Sequence, residues 1–279
     1  MCAVPRLSTS ERAVILAVLA EGNSVASTAR ITGADKEAIL KLLIDVSAIC
    51  RSVHNRLVRG LRCRLIEADE IWSFVHTKQK RVKPEDVEKG YGDAWLWLAT
   101  DIDTKLIVSY LVADRGAESA HVFMEDLAAR LTHRVQINTD GLLAYVDAVG
   151  HNFDNKVDLV HGKKAIIGNP DSSATVSTSH AERLNLTIRM QDRRFTRKTN
   201  GFSKKYANHC ASVDFHVVYY NFIRVHMSLD VTPAMEAKIT DRVWTYADLV
   251  ELLERKEREL LDAPLAKFRS LVRRSKDHS

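Results

Sequence analysis

The chain has 279 residues, 46% hydrophobic and 28% charged, with a formal net charge of +5 and a pI near 9.0. That length holds one large domain or two to three smaller ones, and the composition is that of a soluble globular protein rather than a fibrous or disordered one. No apolar run reaches the roughly 18 residues of a membrane span. The N-terminus "MCAVPRLSTSER" has no signal-peptide core. The four cysteines are scattered without a C-x-x-C, so a disulfide framework is not expected. The expectation is a cytoplasmic protein with no membrane partner.

Three helices are predicted first. "STSERAVILAVLAEG" offers Ser8 or Ser10 as N-cap, Val14, Ile15, Val18 and Leu19 as its apolar positions, and Gly22 as a stop. "SVASTARITG" is a short second helix closed by Gly33, and "ADKEAILKLLIDVSAIC" a third with Ile39, Leu42, Leu43 and Val46 on one face. Two short helices, a glycine turn and a third resemble a helix-turn-helix, with Lys36 and Lys41 near the exposed face of its last helix. A plain three-helix bundle fits the same pattern. "RSVHNRLVRGLR" reads as a linker or short helix. Cys50, His54 and Cys63 lack an evident fourth ligand for zinc.

From residue 64 the period changes. "RLIEADEIWSFVH" alternates as a strand, "TKQKRVKPEDVEKGYGD" reads as a charged hairpin loop, and "AWLWLATDI" and "KLIVSYLVA" are two strong strands joined at "DIDT". "AESAHVFMEDLAARLT" is an amphipathic helix, "RVQINTDG" a short strand, "LLAYVDAVG" a short helix and "KVDLVH" a last strand. "GKKAIIGNPDSSATVS" reads as a loop, and a long helix begins near Ser179. After residue 204 the chain is helical again, with the polar amphipathic stretch "YADLVELLERKERELLDAP" and a basic end. The order predicts an α/β fold: one mixed sheet flanked by helices, resembling the ribonuclease H-like fold, behind an N-terminal all-helical domain. The expected division is 1–62, 63–225 and 226–279.

Basic charge is concentrated. Residues 1–62 carry nine Lys/Arg against five Asp/Glu, and residues 183–205 carry eight against the single acid Asp192. Such local fields attract phosphate backbones. Three carboxylates sit where the predicted fold can gather them: Asp69 within the first strand, Asp140 ending "VQINTD", and Glu182 opening "HAERLNLTIR". A carboxylate in an apolar strand is costly unless it is paired or binds a cation. Clustered carboxylates repel one another unless a divalent ion intervenes, and their hard oxygens suit Mg²⁺, with Mn²⁺ as a substitute. Each acid has a plain structural alternative. Asp69 pairs with Arg64, Asp140-Gly141 is a turn, and Ser179-x-x-Glu182 is a capping box.

The segments "ADEIWSFVHTKQKRV", "GDAWLWLATDIDTKLIVSYLVADR", "NTDGLLAY" and "HAERLNLTIR" resemble the bacterial insertion-sequence transposases of the InsB-like (insertion sequence one) group. These belong to the class with an Asp, Asp, Glu catalytic triad. "YYNFIRVHMSLDVTPAMEA" is similar to the tail after the catalytic helix in many such proteins, and the likeness spans roughly residues 60–240. It implies an Mg²⁺-dependent transposase that cleaves and joins DNA at insertion-sequence ends, with Asp69, Asp140 and Glu182 as catalytic and metal-holding residues. Arg189 matches a DNA-facing basic position and shares a helix face with Glu182 seven residues earlier. Arg183, Arg193, Arg194, Arg197 and Lys198 become candidates to grip phosphate, and Lys36 and Lys41 to read sequence. The implied partners are double-stranded DNA, as inverted-repeat ends and as target, and a second copy of the chain. The implied setting is the cytoplasm, associated with the nucleoid. The cysteine-rich N-terminus common in that group is missing here. A non-catalytic DNA-binding protein or repressor that retained the fold is the competing reading.

Overall fold

The computed structural model describes residues 7–133, 135–139, 143–152, 157–160, 164–167 and 178–260. The first helix, α1 (Thr9–Ala20), starts at Ser8, whose hydroxyl accepts from Glu11 N–H while the Glu11 carboxylate accepts from Ser8 N–H. This reciprocal capping satisfies two donors that a helix start leaves unpaired. The second, α2 (Val25–Thr32), ends at Gly33 in the left-handed conformation. In the turn between them Gly22 has φ +75°, and a Cβ there would stand 2.3 Å from the Met190 carbonyl oxygen. Only glycine permits that approach.

The third helix, α3 (Lys36–Leu57), is longer than the pattern predicts and absorbs most of the expected linker. Its second half has reasons to stay helical. Val53 and His54 are buried, and Arg51 forms an ion pair with the buried Asp214 at 2.6 Å. The apolar face of α3 packs on α7 (Tyr206–Val218), so Ile39, Leu43, Val46 and Val53 belong to one continuous core with Ile66, Trp97 and Phe123 of the sheet region. Each such side chain, fully buried, contributes roughly 1.5–3 kcal/mol.

The sheet has six strands in the order β3-β2-β1-β4-β6-β5. The central hairpin set, β1 (Leu65–Val75), β2 (Gly92–Asp101) and β3 (Ile107–Ala113), is antiparallel. β4 (Gln136–Asn138) runs parallel to β1, with Glu67 opposite Asn138. β5 (Val157–Val160) and β6 (Lys164–Ile167) form an antiparallel hairpin, and β6 pairs antiparallel with β4. The stretch expected as pure loop thus contains a strand: "KAII" is short and apolar, and it finds partners on both sides. The charged connection after β1 also differs, holding two 3-10 turns at Gln79–Arg81 and Pro84–Lys89.

Period-two alternation gives β1 two faces. Ile66 and Ala68 point to the side where α4 (Ala117–Arg130) packs through Phe123, Met124 and Leu127. α5 (Leu143–Asn152) packs on α4. Glu67, Asp69 and Ile71 point to the other side, where Ile71, Leu96 and Leu98 meet Leu184 and Ile188 of α6 (Ser179–Gln191) and Val213 and Val217 of α7. A helix-flanked mixed α/β sheet of this kind is compatible with a ribonuclease H-like fold. Beyond α7 the chain makes a π-helical turn (Tyr219–Ile223) and the short α8 (Pro233–Glu236), and residues 246–260 are helical. No helix among the described residues is long and apolar enough to cross a membrane.

Candidate active site and nucleic-acid interface

The site forms where β1 loses its neighbour. β4 pairs only with Leu65–Glu67, and the next pairing on that edge is an isolated bridge from Val75 to Ser203. Between them β1 offers an edge that is open among the described residues, and Asp69 lies on it. One Asp69 oxygen accepts the Glu70 N–H at 2.8 Å, and the other accepts the Asn185 side-chain amide at 2.6 Å. Two residues earlier Glu67, almost fully buried, accepts the Ala181 N–H of α6 at 2.9 Å. Strand and helix are therefore stitched together through two carboxylates. The alternative pairing of Asp69 with Arg64 is not made in this arrangement. Arg64 instead makes a bidentate pair with Asp103 at 2.9 and 3.2 Å.

On α6 the residues Ala181, Leu184, Asn185 and Ile188 are buried toward β1. Glu182, Asn185 and Arg189 follow one another at helical spacing along the flank of that face. The capping box expected at Ser179 is replaced. The helix N-cap is Thr178, and its hydroxyl donates to Glu182 Oε1 at 3.2 Å while the rest of Glu182 stays exposed. Arg189 is half-buried beside Asp69. Burial and the Arg197 charge lower its pKa, Asp69 opposes that shift, and its Nε is a buried donor with no hydrogen-bond partner. An unsatisfied guanidinium donor beside a carboxylate suits an incoming phosphate.

The remaining predicted residues distribute unevenly. Asp140 lies outside the described residues, and Asn138, two positions before it, is the residue paired with Glu67. Arg183, Arg197 and Lys198 are exposed. Arg193 lines a cleft of about 420 Å³ between the α2–α3 region and the 200–204 loop. Arg194 is turned inward instead of toward solvent. It is 10% exposed and donates to Ser203 at 2.9 Å and Ser212 at 2.8 Å beside Asp192, so its fork is committed to holding the loop after α6. Lys36 is exposed at the start of α3, and Lys41 is paired with Asp45 one turn on at 2.6 Å. Among the described residues no three His, Cys, Asp or Glu side chains stand close enough to hold a metal ion.

A second cationic group escaped the reading of local charge runs. Lys105 Nζ donates to His180 Nδ1 at 3.2 Å. Burial, then Arg224, Lys105, Arg183 and His180, depress the pKa of His226. Five basic groups from three distant segments thus surround the start of α6. The only sequence signal was the R-x-H inside "YNFIRVHMSLD", because clustering of this kind arises from folding. The other acids near the strands have structural work. Asp101 accepts from Thr104 in the β2–β3 turn, and Asp114 accepts from Gly116 N–H and Ser119 at the start of α4. Glu70, on the opposite face from Asp69, pairs with Arg115 at 2.9 Å.

No family model matches this chain, and no curated protein matches it. Among solved structures it is distantly similar to a piggyBac transposase synaptic complex with hairpin DNA, with a TM-score of 0.35 and 10% identity over 92% of this chain and 72% of that one.

Proposed function

We propose that the protein is a DNA transposase of the Asp, Asp, Glu class, related to the insertion-sequence group its motifs resemble, acting on phosphodiester bonds at the open edge of β1. The observation that supports this best is the placement of Asp69. Its carboxylate is held by Asn185, one turn from Glu182, beside the unsatisfied Arg189, and among the described residues no strand pairs with β1 between Glu67 and Val75. Oxygen-only donors on Asp69, Asp140 and Glu182 fit a hard divalent cation such as Mg²⁺. When bound, such ions activate the attacking hydroxyl and stabilise the leaving oxygen. The strand leading to Asp140 runs parallel beside β1.

In this reading the chain's own groups position the substrate. Asn185 fixes the Asp69 carboxylate, and Arg189 meets the scissile phosphate. Arg183, Lys105 and Arg224 neutralise the flanking backbone, His180 orients Lys105, and Arg197 and Lys198 continue that track. Thr178 holds Glu182 in place until DNA and metal arrive. Lys36 sits where α3 would approach DNA, and cutting two ends calls for at least a dimer. The test is nicking of DNA carrying the element's own ends in Mg²⁺. Asp69→Asn and Glu182→Gln variants that melt like the parent should not cut, and cutting at parental rate would refute the assignment.

One observation favours a second reading. Glu182 points at its own helix start, through Thr178. A non-catalytic DNA-binding protein would keep it there, so calorimetry with Mn²⁺ in the presence of DNA separates the two. Heat of binding that Asp69→Asn abolishes supports the enzyme, and none supports the binder.

A further inference from the structure

The open edge of β1 does not end at Asp69. It continues into a groove of about 570 Å³ at Trp72–Phe74, walled on the other side by the loop after α6. Three aromatic rings follow one another there. Trp72 and Phe74 have ring centres 5.7 Å apart, and Phe74 and Phe202 4.7 Å apart. All three are partly exposed. Lys78 lies over the Trp72 ring at 5.4 Å, and Lys204 over the Phe202 ring at 3.4 Å. The lining carries Lys78, Arg194, Arg197 and Lys198 and no carboxylate. Lys198 holds a left-handed backbone with φ 55°, a conformation that costs a non-glycine residue about 1 kcal/mol or more.

Aromatic faces flanked by cations recognise one chemistry well: a base whose ring is free to stack, attached to a phosphate. Within a duplex the bases are already stacked and their faces are not available. The groove volume suits a small planar group rather than a helix. Trp72 is three residues past Asp69, about 10 Å along the strand at 3.3 Å per residue, and leaves the opposite face of the pleat, so a nucleotide strand that reaches both crosses the open edge. That distance equals about three stacked nucleotide steps of 3.4 Å.

We propose that this groove binds an unpaired nucleotide of a DNA strand, stacked against Trp72 and Phe202, a few nucleotides from the phosphate held at Asp69. The assignment deepens the transposase reading, and it is tested without catalysis. Fluorescence anisotropy of the full chain in EDTA compares a twelve-residue oligothymidylate with a duplex. Trp72→Ala and Phe202→Ala should each weaken oligothymidylate binding about ten-fold, the scale of one lost base–aromatic stack, and leave duplex binding within about two-fold. An oligothymidylate affinity that neither variant changes, or an equal loss on both DNAs, overturns the proposal. Should Trp72→Ala unfold, Lys78→Gln and Phe202→Ala carry the test, and Lys78→Gln should reduce the salt dependence of oligothymidylate binding alone. If the parent binds oligothymidylate through these residues and never cuts duplex ends, the groove stands and the transposase reading falls. If it cuts ends with the groove variants binding like the parent, the reverse holds.

Discussion

Two stretches of strand lack a neighbouring strand among the described residues, and the chain treats them in opposite ways. At β3, the outer strand, Asn221 accepts the Ile107 N–H and donates to the Ile107 carbonyl, both at 2.9 Å. His54 Nε2 reaches the same carbonyl at 3.2 Å, and Tyr206 donates to the Val112 carbonyl at 2.7 Å. A bare strand edge invites wrong pairing, and here side chains imitate the missing strand. At β1, past Glu67, the described residues supply no such substitute until Ser203 meets Val75. The edge left open is the one carrying Asp69, Arg189 and the aromatic groove. A sheet edge can be sealed for stability or left open as a place where another backbone, in the proposed reading a phosphodiester, takes the vacant position.

The open edge should tolerate polar change thermally and fail functionally. Asp69→Asn keeps the shape and the bond to Asn185 in altered polarity, so melting should shift by no more than a few degrees. End cleavage should fall on the order of a thousand-fold or more, the scale seen when a member of a catalytic unit is removed. Gel-based nicking with thermal melting of the same preparation checks both halves. A large loss of stability with modest loss of cutting would make this edge structural, like β3.

The closed edge should show the inverse pattern. Asn221→Ala strands a buried N–H and weakens the satisfaction of a buried carbonyl, each worth about 1–3 kcal/mol. An overall cost of about 2–4 kcal/mol is expected from those two losses, read from denaturant midpoints at constant m-value. DNA affinity of the folded fraction should stay unchanged.

These two edges also show what the sequence disclosed. The strands β1 to β3 were legible because alternation and aromatic content report a half-buried pleat, and Asp69 stood out because a charge interrupts that pattern. The shared helix flank of Glu182 and Arg189 was legible from their spacing. Asn221 was not, since a buried asparagine clamping a strand 114 residues away leaves no local mark. Arg194 looks like its neighbours in a basic run, yet Ser203, Ser212 and Asp192 draw it inside. Ser179 satisfied the capping-box spacing, but the N-cap lies one residue earlier, at Thr178, and Ser179 is the first helical residue. The cluster of Lys105, His180, Arg183, Arg224 and His226 depends on three segments meeting, which no window of sequence contains.

Asn185 sits between the two kinds of role. It touches Asp69 rather than the reacting bond, so it is a positioning residue, and removing such a group costs metal sites about 10–100-fold. Asn185→Ala should lower cleavage by about that factor, and raised Mn²⁺ should recover part of it. Asp69→Asn should show no such recovery. Equal behaviour of the two variants would place Asn185 in the packing of α6 alone.

The smallest expected effect concerns acid. Burial pushes the His54 imidazole down to about 3 at the closed edge, with Arg130 adding to the shift. Beneath the open edge, burial pushes His209 and His216 down to about 4. His209 is held by Ser73 at 3.0 Å, with Asp192 partly opposing its shift and Arg194 adding to it. Unfolding returns each ring to its ordinary value near 6.5, so the unfolded chain binds protons that the native chain refuses. Stability from these histidines is therefore complete above pH 6.5 and declines as pH falls toward 4, further still for His54. Melting at pH 5 should lie several degrees below melting at pH 7.5, where one kcal/mol is worth about 2–4 °C in a chain of this size. His209→Gln, which keeps a polar partner for Ser73 without the titration, should flatten that decline between pH 6.5 and 4. His54→Gln should flatten it too, but with its effect reaching lower in pH. Parallel slopes in both variants and the parent would mean that neither edge holds a neutral histidine under it.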